Sequence, residues 1–497
     1  MQITIRHSGN LLEIHPPEIE AILGEELTYW YKEMDNTPRS KTAGKMTFTK
    51  KRVYAMREGR FLCLQGLLPR ITSKLAELGH TIDYQDLRTR KPLVANPEHM
   101  KQFIPPTGLR AGQEEILQLI AANDMGQFEA PTGYGKTEII SLVVSMFPEA
   151  RIIVCSPSIS LLKDTFPRLL RITPNVSRVG GGYKDKPGQI VLTTDKSLTR
   201  LPIDTYDMLF FDEVHRAAST ETSKLLAQIR NTRMYGFSAT TRKRGDGADM
   251  RTEALFGPVI YEMTYEEAEG MGYVSPVKYY RVDIGEAECS IDVSTIKLTT
   301  FKKMYAYWLN TVRNRKLMQA AATVPVQLGL SSDPQIMVAV ETLTQAYALK
   351  AFDPSYTVVY ADRDRASWEE LCRKGTIPPG EAFLDKAMRE HLRKSFSSGV
   401  LRKVICTPTW STGMNFTHLD VIVNASGATS EILNIQWAGR GSRVRSDKPF
   451  ALLIDSADQW DKWAKERAAG RARIYRSKSW LPVSVGDHSD YRQESLL

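Results

Sequence analysis

Two clusters of residues in this sequence can do chemistry. The first is Ala130-Pro131-Thr132-Gly133-Tyr134-Gly135-Lys136-Thr137. Glycines let backbone N–H groups approach a phosphate chain, the lysine reaches the β- and γ-phosphates, and the hydroxyl of Thr137 can hold Mg²⁺. The second is Asp212-Glu213-Val214-His215. In such a pair one carboxylate, here Asp212, holds the nucleotide's metal, and the next, Glu213, orients or deprotonates the attacking water. Loop and pair together imply hydrolysis of a nucleoside triphosphate, with ATP and Mg²⁺ as the expected cofactors. The loop departs once from G-x-x-x-x-G-K-[ST]: Ala130 stands where the first glycine would be.

Both clusters lie where secondary structure would position them. Gln127 to Ala130 reads as a short strand before the loop, and Glu138 to Val144 as a helix after it. Strand, glycine loop and helix is the context this motif needs, and the helix N-terminus favours an anion. The apolar run Met208-Leu209-Phe210-Phe211 delivers Asp212 to a strand's C-terminal end. Ile152 to Cys155 and Ile190 to Leu192 are similar runs, alternating with amphipathic helices from Leu109 to about Tyr273. That rhythm predicts a parallel sheet covered by helices. It returns after about Pro334, in Ile336 to Val340, Val358 to Tyr360, Val404 to Cys406, Val421 to Val423 and Ala451 to Ile454.

The predicted fold class is therefore α/β, with two tandem parallel-sheet domains and a small N-terminal α+β accessory domain. Short strands around Ile3, Ile5 and Leu11 to Ile14, and a helix from Pro69 to Gly79, mark that first module. The expected boundaries are residues 1–100 for the basic module, 101–275 for the ATP-binding domain, and 276–325 for a linker. Residues 326–460 form the second domain and 461–497 a basic tail.

Bulk composition agrees with a folded chain. Hydrophobic residues make up 42% and charged residues 25% of the 497, which argues against disorder. The net charge of +9 favours an acidic polymer as partner. The five cysteines are odd in number and form no C-x-x-C pair, which speaks against zinc or a disulfide framework and for a reduced cytosolic setting. His15, His80 and His418 lack metal-ligand spacing. No run of about 18 apolar residues predicts a membrane span, and the start of the chain has no apolar core of a signal peptide.

The loop and the Asp-Glu-Val-His tetrad resemble those of the superfamily 2 helicases, whose two RecA-like domains use ATP. Other segments follow in that family's order. Leu109 to Gln113 resembles the adenine-reading element, with Arg110 and Gln113 at the base. Ser156-Pro157 and Thr193-Thr194 resemble segments that touch the tracked strand. Ser238-Ala239-Thr240, with His215, resembles the element coupling hydrolysis to movement. Thr407 to Asn415, including Gly413, resembles motif V, and Gln436 to Arg443 resembles motif VI. The resemblance implies that Gln436, Arg440 and Arg443 belong to the catalytic set, the arginines neutralising charge on the transferring phosphoryl group.

Arg244-Gly245-Asp246-Gly247 is similar to the Arg-x-Asp element of XPB-type helicases, where Arg244 and Asp246 would meet DNA. Gly180-Gly181-Gly182-Tyr183 and the N-terminal module look like those of UvsW-type recombination helicases of tailed phages. Relative to that family, residues 365–385 look inserted. The type III restriction helicase cores are a further likeness. These resemblances imply a DNA helicase or translocase acting on junctions, forks and RNA–DNA loops in a bacterial or phage-infected cytoplasm. A single-strand-binding or recombination protein would be its partner; an RNA helicase and a restriction-complex motor are the alternatives.

Basic residues supply the expected grip on nucleic acid. Lys50, Lys51 and Arg52 lie in a basic stretch of the first module that is interleaved with Tyr29, Trp30, Tyr31, Phe48, Tyr54 and Phe61. Cations would neutralise phosphates and rings could stack on bases. A second basic stretch runs from Lys465 to Lys478.

Overall fold

The computed structural model describes residues 1–34, 46–157, 159–239, 249–289, 292, 296, 299–410 and 416–485. The chain divides into two compact units, Met1–Thr264 and Tyr265–Leu497. Each carries a parallel sheet, as the two apolar rhythms predict.

In the first unit the larger sheet runs Tyr183–Lys184, Val176–Gly180, Ile190–Thr194, Ile152–Ser156, Met208–Asp212, Arg233–Ser238, Met125–Glu129, Val259–Glu262. All neighbours are parallel except the outermost short strand, which pairs antiparallel. Ile152–Ser156 and Ile190–Thr194 are buried at every position, because helices cover both faces. Rings lock three adjacent strands together. Phe128 stacks on Phe237 at 4.9 Å and Phe210 on Tyr235 at 5.2 Å, each pair adding about 0.5–1.5 kcal/mol beyond burial. Since parallel strands end on one edge, the loops leaving Met125–Glu129, Met208–Asp212 and Arg233–Ser238 emerge together.

The N-terminal module has its own five-stranded sheet, in the order Tyr54–Arg57, Arg60–Leu64, Leu11–His15, Gln2–Ser8, Thr81–Asp86. The helix Leu68–Glu77 buries Ile71 and Leu75 against it. A separate ribbon pairs Thr28–Met34 with Met46–Arg52. The module is fastened to the larger sheet's layer. Ala254 shares its apolar core, Arg70 bridges Glu26 and Glu253 at 2.8 and 2.7 Å, and Asn10 Nδ2 donates to the Ala227 carbonyl at 3.0 Å. Gly66 is pressed so close that an added Cβ would lie 2.1 Å from the Glu253 oxygen. The connecting stretch is tied down too. Arg88, Arg90 and Arg233 converge on Asp124 at 2.6, 3.1 and 3.0 Å. Burial works against that carboxylate's charge, but the three guanidiniums hold it below its usual range.

The second unit's sheet runs Thr357–Val359, Lys403–Cys406, Gln335–Ala339, Leu419–Asn424, Ala451–Asp458, Val277–Ile284, Leu481–Pro482, parallel throughout. One expectation fails here. The stretch 276–325 is no linker: Val277–Ile284 is an eight-residue strand paired with Ala451–Asp458, and the helix Thr311–Gln327 buries Leu317, Met318 and Ala321. Its Tyr, Lys and Arg residues hid a strand in which Asp283 alone is exposed. The stretch 461–497, expected as a basic tail, starts with an ordered element. Lys462–Arg476 is a helix against the sheet, and Arg471 within it is wholly buried. The stretch 365–385 carries the helix Arg365–Arg373 and places Ile377 and Leu384 in the core.

A buried polar cluster holds this unit's C-terminal helix. Arg471 Nε meets Asp455 at 2.8 Å and Nη2 meets Asp458 at 3.2 Å, all wholly buried. Arg313, equally buried, bonds Asp458 at 3.2 Å, Ser456 Oγ at 2.9 Å and the Ala425 carbonyl at 2.7 Å.

Three variants test these contacts. Gly66→Ala should cost about 1–3 kcal/mol through overpacking and make the 1–100 segment more sensitive to limited proteolysis. Arg471→Ala leaves buried Asp455 without its guanidinium and Asp458 with Arg313 alone, and should cost about 3–5 kcal/mol in urea denaturation, whereas Tyr475→Phe, losing the hydroxyl that meets Asp455 and Asn434, should cost about 1–2 kcal/mol.

Candidate functional site

The loop is shaped by its glycines. Gly133 and Gly135 have φ of 104° and 106°, a region side chains rarely adopt. Gly135 caps the helix Lys136–Met146, whose first N–H groups lack intrahelical acceptors. Ala130 has no such demand: it is absent from the positive-φ residues and lies buried at the end of its strand. The departure from the glycine pattern is therefore without backbone cost. Lys136 Nζ donates to the Ala130 carbonyl at 2.9 Å, so its ammonium lies over the loop.

The two residues expected to read a base are brought to the same loop. Arg110 Nη1 donates to the Gly133 carbonyl at 2.6 Å. Gln113 is buried; its Oε1 accepts from Arg110 N at 3.0 Å and its Nε2 reaches the Tyr134 carbonyl at 3.4 Å. Tyr134, wholly buried, donates to the Ala111 carbonyl at 2.7 Å. Pro131 is buried, and Thr132 and Thr137 are half-buried.

Asp212 ends its strand, and Glu213 follows with φ 56° and ψ 55°. A left-handed glutamate costs about 1–3 kcal/mol; the turn swings its carboxylate to Ser238. Ser238 Oγ donates to Glu213 Oε2 at 3.3 Å, and His215 Nδ1 lies 3.1 Å from the same hydroxyl. With the hydroxyl proton given to glutamate, His215 Nδ1–H is the donor in this arrangement. The Ser238 carbonyl also accepts from Ala130 N at 3.0 Å. One serine thus touches the loop through its backbone and the Asp-Glu-Val-His segment through its side chain. Ala239 is buried beside it. Thr240, Arg244 and Asp246 lie outside the described residues.

Among the described residues no three His, Cys, Asp or Glu cluster as a metal site. A nucleotide-bound Mg²⁺ asks for one or two protein oxygens beside phosphates and water; Thr137, in the first turn of the helix Lys136–Met146, and Asp212, at the end of its strand, are of the type that fits that need.

The segments expected to touch a strand are mixed in placement. Ser156 is buried and Pro157 half-buried. Thr193 is wholly buried, its hydroxyl donating to the Val179 carbonyl at 2.9 Å, and Thr194 bonds Ser197 at 3.1 Å. Thr193's side chain faces inward, because the strand carrying it is covered on both faces. Sequence reasoning missed the pair beside them: Arg216 Nη2 meets Asp195 at 2.7 Å. This links the turn after His215 to the segment after Thr194. An arginine directly after Asp-Glu-Val-His was the available signal.

In the second unit Gln436 and Arg440 are buried on the helix Glu431–Gly441, and Arg443 is half-buried just beyond it. Asn434 on the same helix bonds Tyr475 Oη at 3.1 Å and Asn424 at 2.9 Å, which joins it to the buried arginine cluster. Lys448 donates to the carbonyls of Leu419, at 2.9 Å, and Gly441, at the helix's end. Burial lowers its pKa to about 8. Thr407 N donates to the Val359 carbonyl at 3.1 Å; Gly413 lies outside the described residues.

Comparison with known proteins fits this arrangement. The family described as "Type III restriction enzyme, res subunit" matches residues 107–243, which hold the loop, the acidic pair and Ser238. The chain is 25% identical over 361 residues to "DNA 3'-5' translocase XPB2" of Sulfurisphaera tokodaii, covering 70% of this chain and 81% of that one. Its fold is similar to that of S. cerevisiae Dbp5 bound to RNA and ADP BeF3, with TM-score 0.53, 15% identity, and coverage of 78% and 96%. The crystal structure of T4 UvsW aligns over 97% of this chain and 99% of that one at 16% identity and TM-score 0.40. With its ordered motifs lying on two RecA-like sheets, the chain is similar to the superfamily 2 helicases and translocases.

Proposed function

We propose that this protein is an ATP-dependent DNA helicase or translocase that remodels branched DNA, such as junctions, forks and RNA–DNA loops. The observation that carries the ATPase part is the Ser238 bridge between the loop and Glu213. In this reading Lys136 binds the β- and γ-phosphates, and Thr137 and Asp212 hold Mg²⁺, which supplies charge neutralisation at the phosphates. Glu213 orients the attacking water, its carboxylate aimed by Ser238 and His215. Arg440 and Arg443, with Gln436, meet charge on the transferring phosphoryl group. Gly413 belongs to the same nucleotide set.

DNA is favoured over RNA by the relative named as a DNA translocase, which aligns over most of both chains. Branched substrates are supported by the likeness of the triple-glycine turn and N-terminal module to junction-remodelling helicases, and by that module being fastened to the motor layer. Ser156, Pro157, Thr194, Thr407, Arg244 and Asp246 are proposed contacts to the strand. Thr193 is left to a backbone role.

Lys136→Ala and Glu213→Gln should each lower ATP turnover by about 10²–10³-fold, and retained turnover in a steady-state assay would remove the site assignment. Substrate choice is read by ATPase and unwinding rates across single strand, duplex, fork, four-way junction and RNA–DNA loop. Branched DNA should stimulate most. Stimulation by RNA alone would move the assignment to an RNA helicase, and activity appearing only with a co-purifying nuclease or methyltransferase would move it to a restriction motor.

A further inference from the structure

The ribbon Thr28–Met34 with Met46–Arg52 has two unlike faces. Opposed residues in an antiparallel pair point the same way, and Trp30 faces Lys50 and Thr28 faces Arg52, with Phe48 two residues before Lys50 on its strand. Trp30, Phe48, Lys50 and Arg52 therefore share one face. The other carries Tyr29, 8% exposed, and Tyr31, with the Arg251 guanidinium 5.5 Å from its ring. So Tyr29 and Tyr31 turn to the body of the unit. Trp30 is 61% and Phe48 63% exposed. Folding gains little from rings left in water, and these two are diagonal neighbours on one open face.

A cavity of about 290 Å³ opens at the foot of this ribbon. Arg52, Lys224 and Arg251 line it with the hydroxyl-bearing Thr220 and Ser223; the other half of its lining is apolar, and none of the described lining residues is acidic. Arg52 belongs to both features. Its 3.6 Å approach to Glu20 is a half-exposed pairing that is worth little in water.

We propose that the open ribbon face and this cavity form an accessory site for single-stranded nucleic acid, separate from the ATP-side motifs. Trp30 and Phe48 stack on unpaired bases, Lys50 follows the backbone, and the Arg52–Lys224–Arg251 cavity seats a phosphate. A duplex would not satisfy it, because paired bases present no free faces to a ring. The site rests on the nucleic-acid motor reading and adds a substrate feature to it: a single-stranded arm beside the branch.

The test is anisotropy binding of the full chain, without nucleotide, to a labelled 20-nucleotide DNA strand and to an abasic strand of equal length. Wild type should prefer the strand with bases. Trp30→Ala and Phe48→Ala should each weaken that strand on the order of tenfold and leave the abasic strand unchanged, while Trp30→Tyr keeps most of the affinity. Lys224→Glu should weaken both strands and lower the salt slope by about 1. Equal losses on both strands for the ring variants, or no loss on either, would overturn the site. Those outcomes leave the motor reading standing, since it falls only if no polymer stimulates the wild-type ATPase. Thermal melting of each variant confirms a native fold, and Trp30→Tyr retains the test if Trp30→Ala melts early.

Discussion

The site's geometry depends on one residue making two kinds of hydrogen bond. Ser238 holds the phosphate loop through its carbonyl and the glutamate of the acidic segment through its hydroxyl. Neither bond is strong alone, at about 1 kcal/mol net in a folded protein. Their value is positional. The strand carrying Ser238 lies between the strands carrying the loop and Asp212, so a shift in any of the three is felt by the other two. The left-handed Glu213 stays in a costly conformation because Ser238 and His215 give its carboxylate somewhere to go.

Much of this was legible in sequence because chemistry and periodicity coincide there. A glycine loop needs positive φ, and Gly133 and Gly135 have it. Continuous apolar runs need two covered faces, and Met208–Asp212 and Ile152–Ser156 have them. Reading failed where charge hid burial. Arg313 and Arg471 are wholly buried, yet nothing local separates them from solvated arginines, since their carboxylate partners lie on another element, the strand Ala451–Asp458. The strand Val277–Ile284 was lost for a related reason: Lys278, Arg281 and Asp283 interrupt its apolar run, although Asp283 alone of them is exposed. Thr193 resembled a strand-contact residue by position, but only the sheet shows which way its hydroxyl points.

The second unit orders its motif helix by a different device. Asn434 is tied to Tyr475 on the C-terminal helix, and Tyr475 to Asp455 within the buried ion cluster. Apolar packing tolerates small slips, but an arginine with several fixed acceptors does not. Arg440 follows Asn434 by under two turns of the same helix and Arg443 lies just beyond its end, so their placement inherits that rigidity, and Lys448 fixes the far end through the Gly441 carbonyl.

Gly66 carries a different consequence. Its backbone rests directly on the carbonyls of Glu253 and Ala254, in the helix Asp249–Phe256 that follows the Ser238 strand. A seam made of main chain cannot be adjusted by side-chain drift, because there is no side chain to shorten. Gene shuffling that exchanged only the first hundred codons would have to deliver a glycine at this point and the same spacing to it. The module and the motor behind it are accordingly expected to be inherited as one piece rather than as interchangeable parts.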